Sequence, residues 1–210
     1  MYAIVESNTV TKIINNPKAL TIGDVQYPSK IFSLWSEAEL KAIGIYEVVF
    51  DNSNKKDEEY YINTNQSFNY ADGQVTASYG TATPKELADI LWTQEDSDNG
   101  DLPDDKEVGD VKVEGLKTQH KRVIKNQASG LLEPTDWYNH KALDDDTYVI
   151  PANIKTYRAN VRTRSNEMET AIDNASDVDA LATLYAYVNT GTEENPVMER
   201  PLGEFPTLEI

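Results

Sequence analysis

There is no cysteine in this chain, so neither a disulfide framework nor a thiolate metal site is open to it. Histidine is nearly absent as well. His120 and His140 stand twenty residues apart beside Lys121 and Lys141, a spacing that offers no third zinc ligand and reads as two surface histidines. No apolar run approaches the roughly 20 residues a membrane helix needs, and the N-terminus has no basic-then-apolar leader. These absences predict a soluble, unexported protein. Nucleotide-binding signatures are missing too: neither G-x-x-x-x-G-K-[ST] nor G-x-G-x-x-G occurs, and there is no Gly-x-Ser-x-Gly elbow. Positive charge is scarce, with 19 Lys and Arg against 36 Asp and Glu, a net charge of −17. Nucleic acid and anionic membranes would repel such a surface, so neither is expected as a partner.

What is present suits one large domain or two small ones: 210 residues, 39% apolar, with 12 Tyr and 3 Trp. The pattern predicts an α+β protein with an N-terminal small antiparallel β domain carrying a short helix, and a C-terminal helical hairpin or three-helix region. Val10 to Ile14 and Ala3 to Val5 flank Ser7-Asn8, and the segments either side of Asp72-Gly73 alternate apolar with polar residues, so both read as hairpins. A third extended piece runs from Ala19 to Ile22. Ser36 with Glu39 makes a capping box, and Gly44 stands where a helix C′ residue belongs. Thr83-Pro84-Lys85-Glu86 has the same form and predicts a helix through Leu87, Ile90, Leu91 and Trp92.

Residues 94–110 hold eight acids and one Lys with two Gly and a Pro, which reads as a break in the fold. The expected division is a β-rich domain over 1–93, an acidic linker or loop over 94–115, a helical domain over 116–190 and an extended tail over 191–210. The acidic stretch also raises calcium. Asp96, Asp98 and Glu107 occupy positions one, three and twelve of a calcium loop, but Asp101 stands where the sharp turn wants Gly, so the register is wrong. No metal and no cofactor is expected.

The helical region begins near Leu116, with Val123, Ile124, Gln127, Leu131 and Leu132 read as inward. Pro134 breaks that helix, and Trp137 is expected to fill the corner before a second helix starts behind Pro151. Ile154, Tyr157, Val161, Met168 and Ile172 recur at helical spacing and form one stripe. Ser176 with Asp179 is read as the cap of a third helix, which buries Val178, Leu181, Leu184, Tyr185 and Val188. Arg158, Arg162 and Arg164 are the concentrated basic feature of the second helix, open either to pairing with acids such as Asp136 or Asp173 or to docking an acidic partner. With 36 acids, a catalytic carboxylate pair cannot be singled out.

Leu131-Leu132, Thr135-Asp136-Trp137, then Tyr157-Arg158 and Val161-Arg162 resemble the C-terminal motif of bacteriophage tail assembly chaperones and tail-fibre-assembly proteins. Pro201 to Pro206 is similar to the proline-containing segment that follows it in that group. The resemblance covers residues 116–210, carries no catalytic residue, and departs at Ile154, where many relatives have Trp, and in the longer helical stretch 163–188. It implies a non-enzymatic tail protein working by protein–protein binding, either a subunit of the tail, tail fibre or baseplate or their assembly chaperone. Its partners would be other tail, fibre or baseplate proteins, with a homo-oligomer compatible, and its location the virion tail or the host cytoplasm during assembly. Trp137, Tyr138, Tyr157, Arg158 and Arg162 are the expected partner-binding residues. The alternative class is a metal-assisted hydrolase using scattered carboxylates.

Overall fold

A computed structural model describes residues 1–208. The chain is mixed α+β and divides into two compact units, Met1–Thr83 and Pro84–Ile210. The division falls ten residues before the composition break at 93/94.

In the first unit, β1 (Tyr2–Glu6) and β2 (Thr9–Ile14) form the expected hairpin. Ser7 and Asn8 both take positive φ, 50° and 61°, the turn whose twist matches that of its strands. The chain continues through β3 (Leu20–Ile22) and reverses at Gly23-Asp24 into β4 (Val25–Tyr27), a return strand that the sequence reading stopped short of. Pro28 then starts a single helical turn, α1 (Ile31–Leu34). The Ser36–Glu39 box opens α2 (Glu37–Ala42) as expected: Glu39 Oε2 accepts the Ser36 N–H at 2.8 Å while Ser36 Oγ accepts the Glu39 N–H. Gly44, at φ +79°, ends it and leads into β5 (Ile45–Asp51).

After the two-residue β6 (Tyr61–Ile62), β7 (Ser67–Ala71) and β8 (Gln74–Ser78) pair across the Asp72-Gly73 turn. The main sheet runs β2-β1-β5-β8-β7. The sheet is antiparallel as expected at β1–β2, β1–β5 and β7–β8, and its β5–β8 pair is parallel. The edge strands β2 and β7 come alongside each other, and Val10, Phe68 and Tyr70 share one core with Ala3, Val48, Val75 and Ala77. The alternation along β7 and β8 holds: Phe68, Tyr70, Val75 and Ala77 turn to this core, while Ser67, Asn69, Ala71 and Gln74 are exposed. On the other face Ile31, Leu40 and Ile45 gather Tyr2, Leu20, Tyr27, Phe32 and Trp35.

The second unit opens with a correction. Thr83–Pro84 is a short strand, β9, and Ile90–Leu91 is another, β10; no helix runs through Leu87 to Trp92. Tertiary hydrogen bonds outweigh the local capping signal. The carbonyls of Glu86 and Leu87 accept the N–H groups of Leu116 and Lys117 at 2.9 and 3.0 Å, the first turn of α4 (Leu116–Leu132). Gly115, the N-cap of that helix, has no side chain to offer, and the Asp89 carboxylate takes its place, accepting Gly115 N–H at 2.7 Å and the Thr118 hydroxyl at 2.9 Å. The segment that looked like a helix is the cap of another.

The acidic stretch is likewise structured. Thr93 and Asp96 form a capping box for α3 (Gln94–Asp98), and β11 (Val111–Val113) returns to pair with β10. Lys112 closes this excursion, its ammonium 4.4 Å over the Trp92 ring and bonded to Asp96. The Lys112 and Thr93 hydrogen bonds hold the Asp96 carboxyl down at about 2. A depressed carboxyl contributes stability that is complete above its ordinary pKa near 4 and is lost as pH falls through the folded value. A carbonyl-detected NMR titration should therefore show Asp96 protonating near pH 2 and shifting upward in Lys112→Met. An Asp96 midpoint near 4 in the wild type would mean that the Lys112–Thr93 clasp is not formed.

Three more α-helices follow α4: α5 (Asp136–Asp144), α6 (Ala152–Asp173) and α7 (Val178–Tyr185). Lys121, early in α4, bonds Asp173 at the end of α6, while Tyr157, early in α6, bonds the Leu131 carbonyl at the end of α4. The two helices are therefore antiparallel. The stripe Ile154, Tyr157, Val161, Met168 and Ile172 is buried as expected. Of the inner face expected on α4, Ile124 is buried and Leu131 and Leu132 pack on the core, but Val123 and Gln127 are exposed, and Leu116, His120 and Ala128 are buried instead. His120 is thus no surface histidine; its ring lies 4.9 Å from that of Tyr185. Asp177, not Ser176, caps α7, accepting the Ala180 N–H at 2.8 Å. The last strands, β12 (Val188–Asn189) and β13 (Met198–Glu199), form a small hairpin. Among the described residues, no helix is long and apolar enough to cross a membrane.

Candidate partner-binding site

Between α4 and α5 the chain must turn without leaving carbonyls unpaired at a buried corner. Pro134 has no N–H to continue the helix, and Glu133–Thr135 tightens to a 3-10 turn. Arg158 satisfies that turn from α6. Its Nη1 donates to the Leu132 carbonyl at 2.8 Å and to Thr135 Oγ1 at 2.6 Å, and its Nη2 to Asp136 Oδ1 at 2.7 Å. The Thr135 hydroxyl itself donates to the Leu132 carbonyl at 2.8 Å. Tyr157 adds a fourth tie from α6, its hydroxyl donating to the Leu131 carbonyl at 3.2 Å. The Arg158 side chain is 8% exposed and that of Asp136 is 49%, so this is a buried cation reaching out to a carboxylate at the rim.

Trp137 is not the filling of this corner. It starts α5, is 50% exposed, and stacks on Tyr138 with ring centroids 3.8 Å apart and planes 29° from parallel. The corner is closed by the Arg158 fork instead, which leaves the indole outside. Trp137 and Tyr138 form one wall of an open cavity of about 360 Å³, with Pro134, Pro151, Ile154 and Leu208 as its other apolar walls. A second hollow, of about 520 Å³, shares Asn153 and Leu208 with the first and continues along α6 past Thr156, Tyr157 and Asn160. Together they make a groove along α6, apolar at the Trp137 end and amide-lined beyond it.

The C-terminal segment forms the far bank. Leu202 is buried, its N–H donates to the Leu184 carbonyl at 2.9 Å, and Arg164 Nη2 donates to its carbonyl at 2.7 Å. Phe205 and Leu208 pack on Ala128, Tyr157 and Val161. Behind them the Tyr187 hydroxyl donates to Glu204 at 2.6 Å, which holds that carboxyl below its ordinary range and pushes the Tyr187 phenol up. From Leu202 to Leu208 the tail thus packs on its own helices.

The five expected site residues therefore separate. Trp137 and Tyr138 face the groove, Tyr157 lines its continuation with its hydroxyl already bonded, and Arg158 is buried inside the corner. Arg162 is exposed; its Nη1 reaches only the Arg158 carbonyl at 3.5 Å, and among the described residues no carboxylate pairs with it. Asp173, offered as a partner for these arginines, pairs with Lys121. Pro134, Pro151 and Leu208 were not anticipated as groove walls. The prolines were read only as helix punctuation, and nothing local marks Leu208 as a neighbour of Trp137. Among the described residues no three His, Asp or Glu side chains converge as a metal ion would require.

Comparison with protein-family models, curated proteins and solved structures finds no match to this chain.

Proposed function

We propose that this chain is a non-enzymatic bacteriophage tail protein that acts by binding other tail proteins, as a subunit of the tail, fibre or baseplate or as their assembly chaperone. The observation that carries the reading is how the motif residues divide. Leu131, Leu132, Thr135, Asp136, Tyr157 and Arg158 are tied to one another by hydrogen bonds, and Val161 is fully buried. Those residues build the corner. Trp137 and Arg162 are the two that the corner does not use, and both are exposed on the groove-bearing unit. An aromatic pair over an apolar hollow is the chemistry enriched at protein interfaces.

Capture from infected cells with a tagged chain tests this. The wild type should retain a tail, fibre or baseplate protein, identified by mass spectrometry, and Trp137→Ala should retain at least about 30-fold less of it, the loss of an interface anchor worth ~2 kcal/mol. Because the indole is 50% exposed, the same substitution should cost only about half of the ~3–5 kcal/mol of a buried Trp and leave the protein folded. Undiminished capture by folded Trp137→Ala would remove the groove from the reading. Capture of no tail component at all would remove the reading. The chain's own abundance in purified virions separates the two roles: stoichiometric for a subunit, absent for a chaperone.

A further inference from the structure

Where α1 and α2 pack against β1 and β5, the first unit leaves an open hollow of about 140 Å³. Three of its walls are aromatic: Tyr2 from β1, Phe32 from α1, and Trp35 at the end of α1. All three pack on the core of Ile31, Leu40 and Ile45, yet each is only half-buried. The rings of Tyr2 and Phe32 lie 4.8 Å apart with planes at 47°, so they meet as a corner rather than a stack. Tyr27, outside the hollow, braces Trp35 edge-on at 5.9 Å. Leu40 and Ile45, both buried, line the hollow from the core side.

The remaining lining residues, Glu37 and Glu47, carry charge of one sign, and among the described residues no Lys or Arg lines the hollow. Glu37 is already engaged, its Oε1 2.7 Å from the Lys41 ammonium. Glu47 is exposed and forms no ion pair among the described residues. It is the registered partner of Tyr2 across the β1–β5 ladder and stands two residues from Ile45, so its side chain leaves the sheet on the same face as theirs. The strand thus sets a free carboxylate beside half-buried rings.

Each part of this arrangement selects. An inorganic cation would need several oxygen ligands, and among the described residues no three acids converge. A neutral apolar group would gain nothing from Glu47. A primary ammonium is strongly hydrated and asks for more acceptors than one carboxylate at a rim. A quaternary ammonium lays its methyl groups against ring faces, and its charge is attracted by the rings as well as by the carboxylate. The size agrees, since a cavity of ~150 Å³ takes one benzene, about the bulk of a trimethylammonium group.

We infer that this hollow binds a trimethylammonium group, held by cation–π contact with Tyr2, Phe32 and Trp35 and by the charge of Glu47. The inference rests neither on the tail role nor on the Trp137 groove.

An NMR titration of the full chain with choline, at ionic strength held constant with sodium chloride, tests it. The Trp35 indole N–H, assigned with Trp35→Phe, should shift saturably with a Kd on the order of 1 mM, while the indoles of Trp92 and Trp137 stay in place. The uncharged isostere 3,3-dimethylbutan-1-ol should bind at least about fivefold more weakly, a difference of ~1 kcal/mol, and so should ethanolamine. Glu47→Gln, at an exposed position, should weaken choline by about threefold and leave the alcohol unchanged. Phe32→Leu keeps an apolar wall but removes a ring, and should weaken choline by at least about fivefold with an unchanged circular dichroism spectrum. The alcohol binding as tightly as choline would overturn the inference in favour of an ordinary apolar hollow. Choline binding unchanged in Phe32→Leu would overturn it in favour of bulk attraction to an acidic surface, and shifts at Trp137 in place of Trp35 would move the site elsewhere. Acetylated trimethyllysine amide carries the same group on a protein stem: binding tighter than choline assigns the source as a modified protein, weaker binding as a small solute.

Discussion

Arg158→Ala is expected to destabilise the helical unit by about 3 kcal/mol, read as a loss of urea resistance in the 222 nm signal. Surface arginines of an ordinary helix cost about 0–1 kcal/mol to remove. Arg158 is not one of them. Its guanidinium supplies donors to the Leu132 carbonyl and the Thr135 hydroxyl, and Thr135 is itself buried. Truncation deprives those groups of a charged donor where water has little access, and it leaves a void behind the turn. Asp136 matters less, because a half-exposed carboxylate can be rehydrated. Arg158→Lys should recover only part of the loss, since one ammonium cannot reproduce the planar fork that meets three acceptors at once. Arg162→Ala, one turn on and exposed, should cost no more than about 1 kcal/mol. If Arg158→Ala unfolds at the same urea concentration as Arg162→Ala, the corner is not held as described.

A double substitution of Arg158 and Arg162 would confound folding with docking, because one of the two builds the corner. Arg162→Glu alone, beside Trp137→Ala, keeps the two effects apart.

Elements whose two ends lie close in sequence were legible. Ser36 meets Glu39 and Asp72 precedes Gly73, so each carries its whole instruction within a few residues. The stripe of α6 was legible because its buried residues are large and apolar. Where the partner is distant, local reading failed. Thr83-Pro84-Lys85-Glu86 has the form of a capping box, yet the Glu86 and Leu87 carbonyls serve helix α4 some thirty residues on. The inner face of α4 was obscured because two of its members, His120 and Ala128, are polar or small, whereas the exposed Val123 looks like core. At the candidate site, the aromatic pair and the arginines could be picked out by type. Which of them is inside depends on a hydrogen-bond fork spanning 22 to 26 residues, and no local pattern encodes that. The cation in the corner and the indole outside are the reverse of what hydrophobicity alone predicts.

Leu202→Ala should cost about 2–5 kcal/mol, as much as a substitution in the helical core, although it lies in a segment that composition marks only as a tail. The side chain is 1% exposed, and its backbone is held on both sides: the N–H by the Leu184 carbonyl and the carbonyl by Arg164. Gly203 follows at φ +71°, where an L side chain is strained, and a Cβ there would displace the Arg164 guanidinium. Phe205 and Leu208 then cover Tyr157 and Val161. Releasing Leu202 therefore also uncovers part of the α4–α6 seam and removes the bank of the groove opposite Trp137. Gly203→Ala should weaken the same attachment from the backbone side, by at least about 1 kcal/mol, through the disfavoured φ and the displaced arginine. Cleavage at Glu204 by a glutamyl protease under native conditions reports the attachment directly, and both variants should be cut faster there than the wild type. Leu202→Ala that melts within about 1 kcal/mol of the wild type, with cleavage at Glu204 unchanged, would show that the segment contributes nothing to the helical unit.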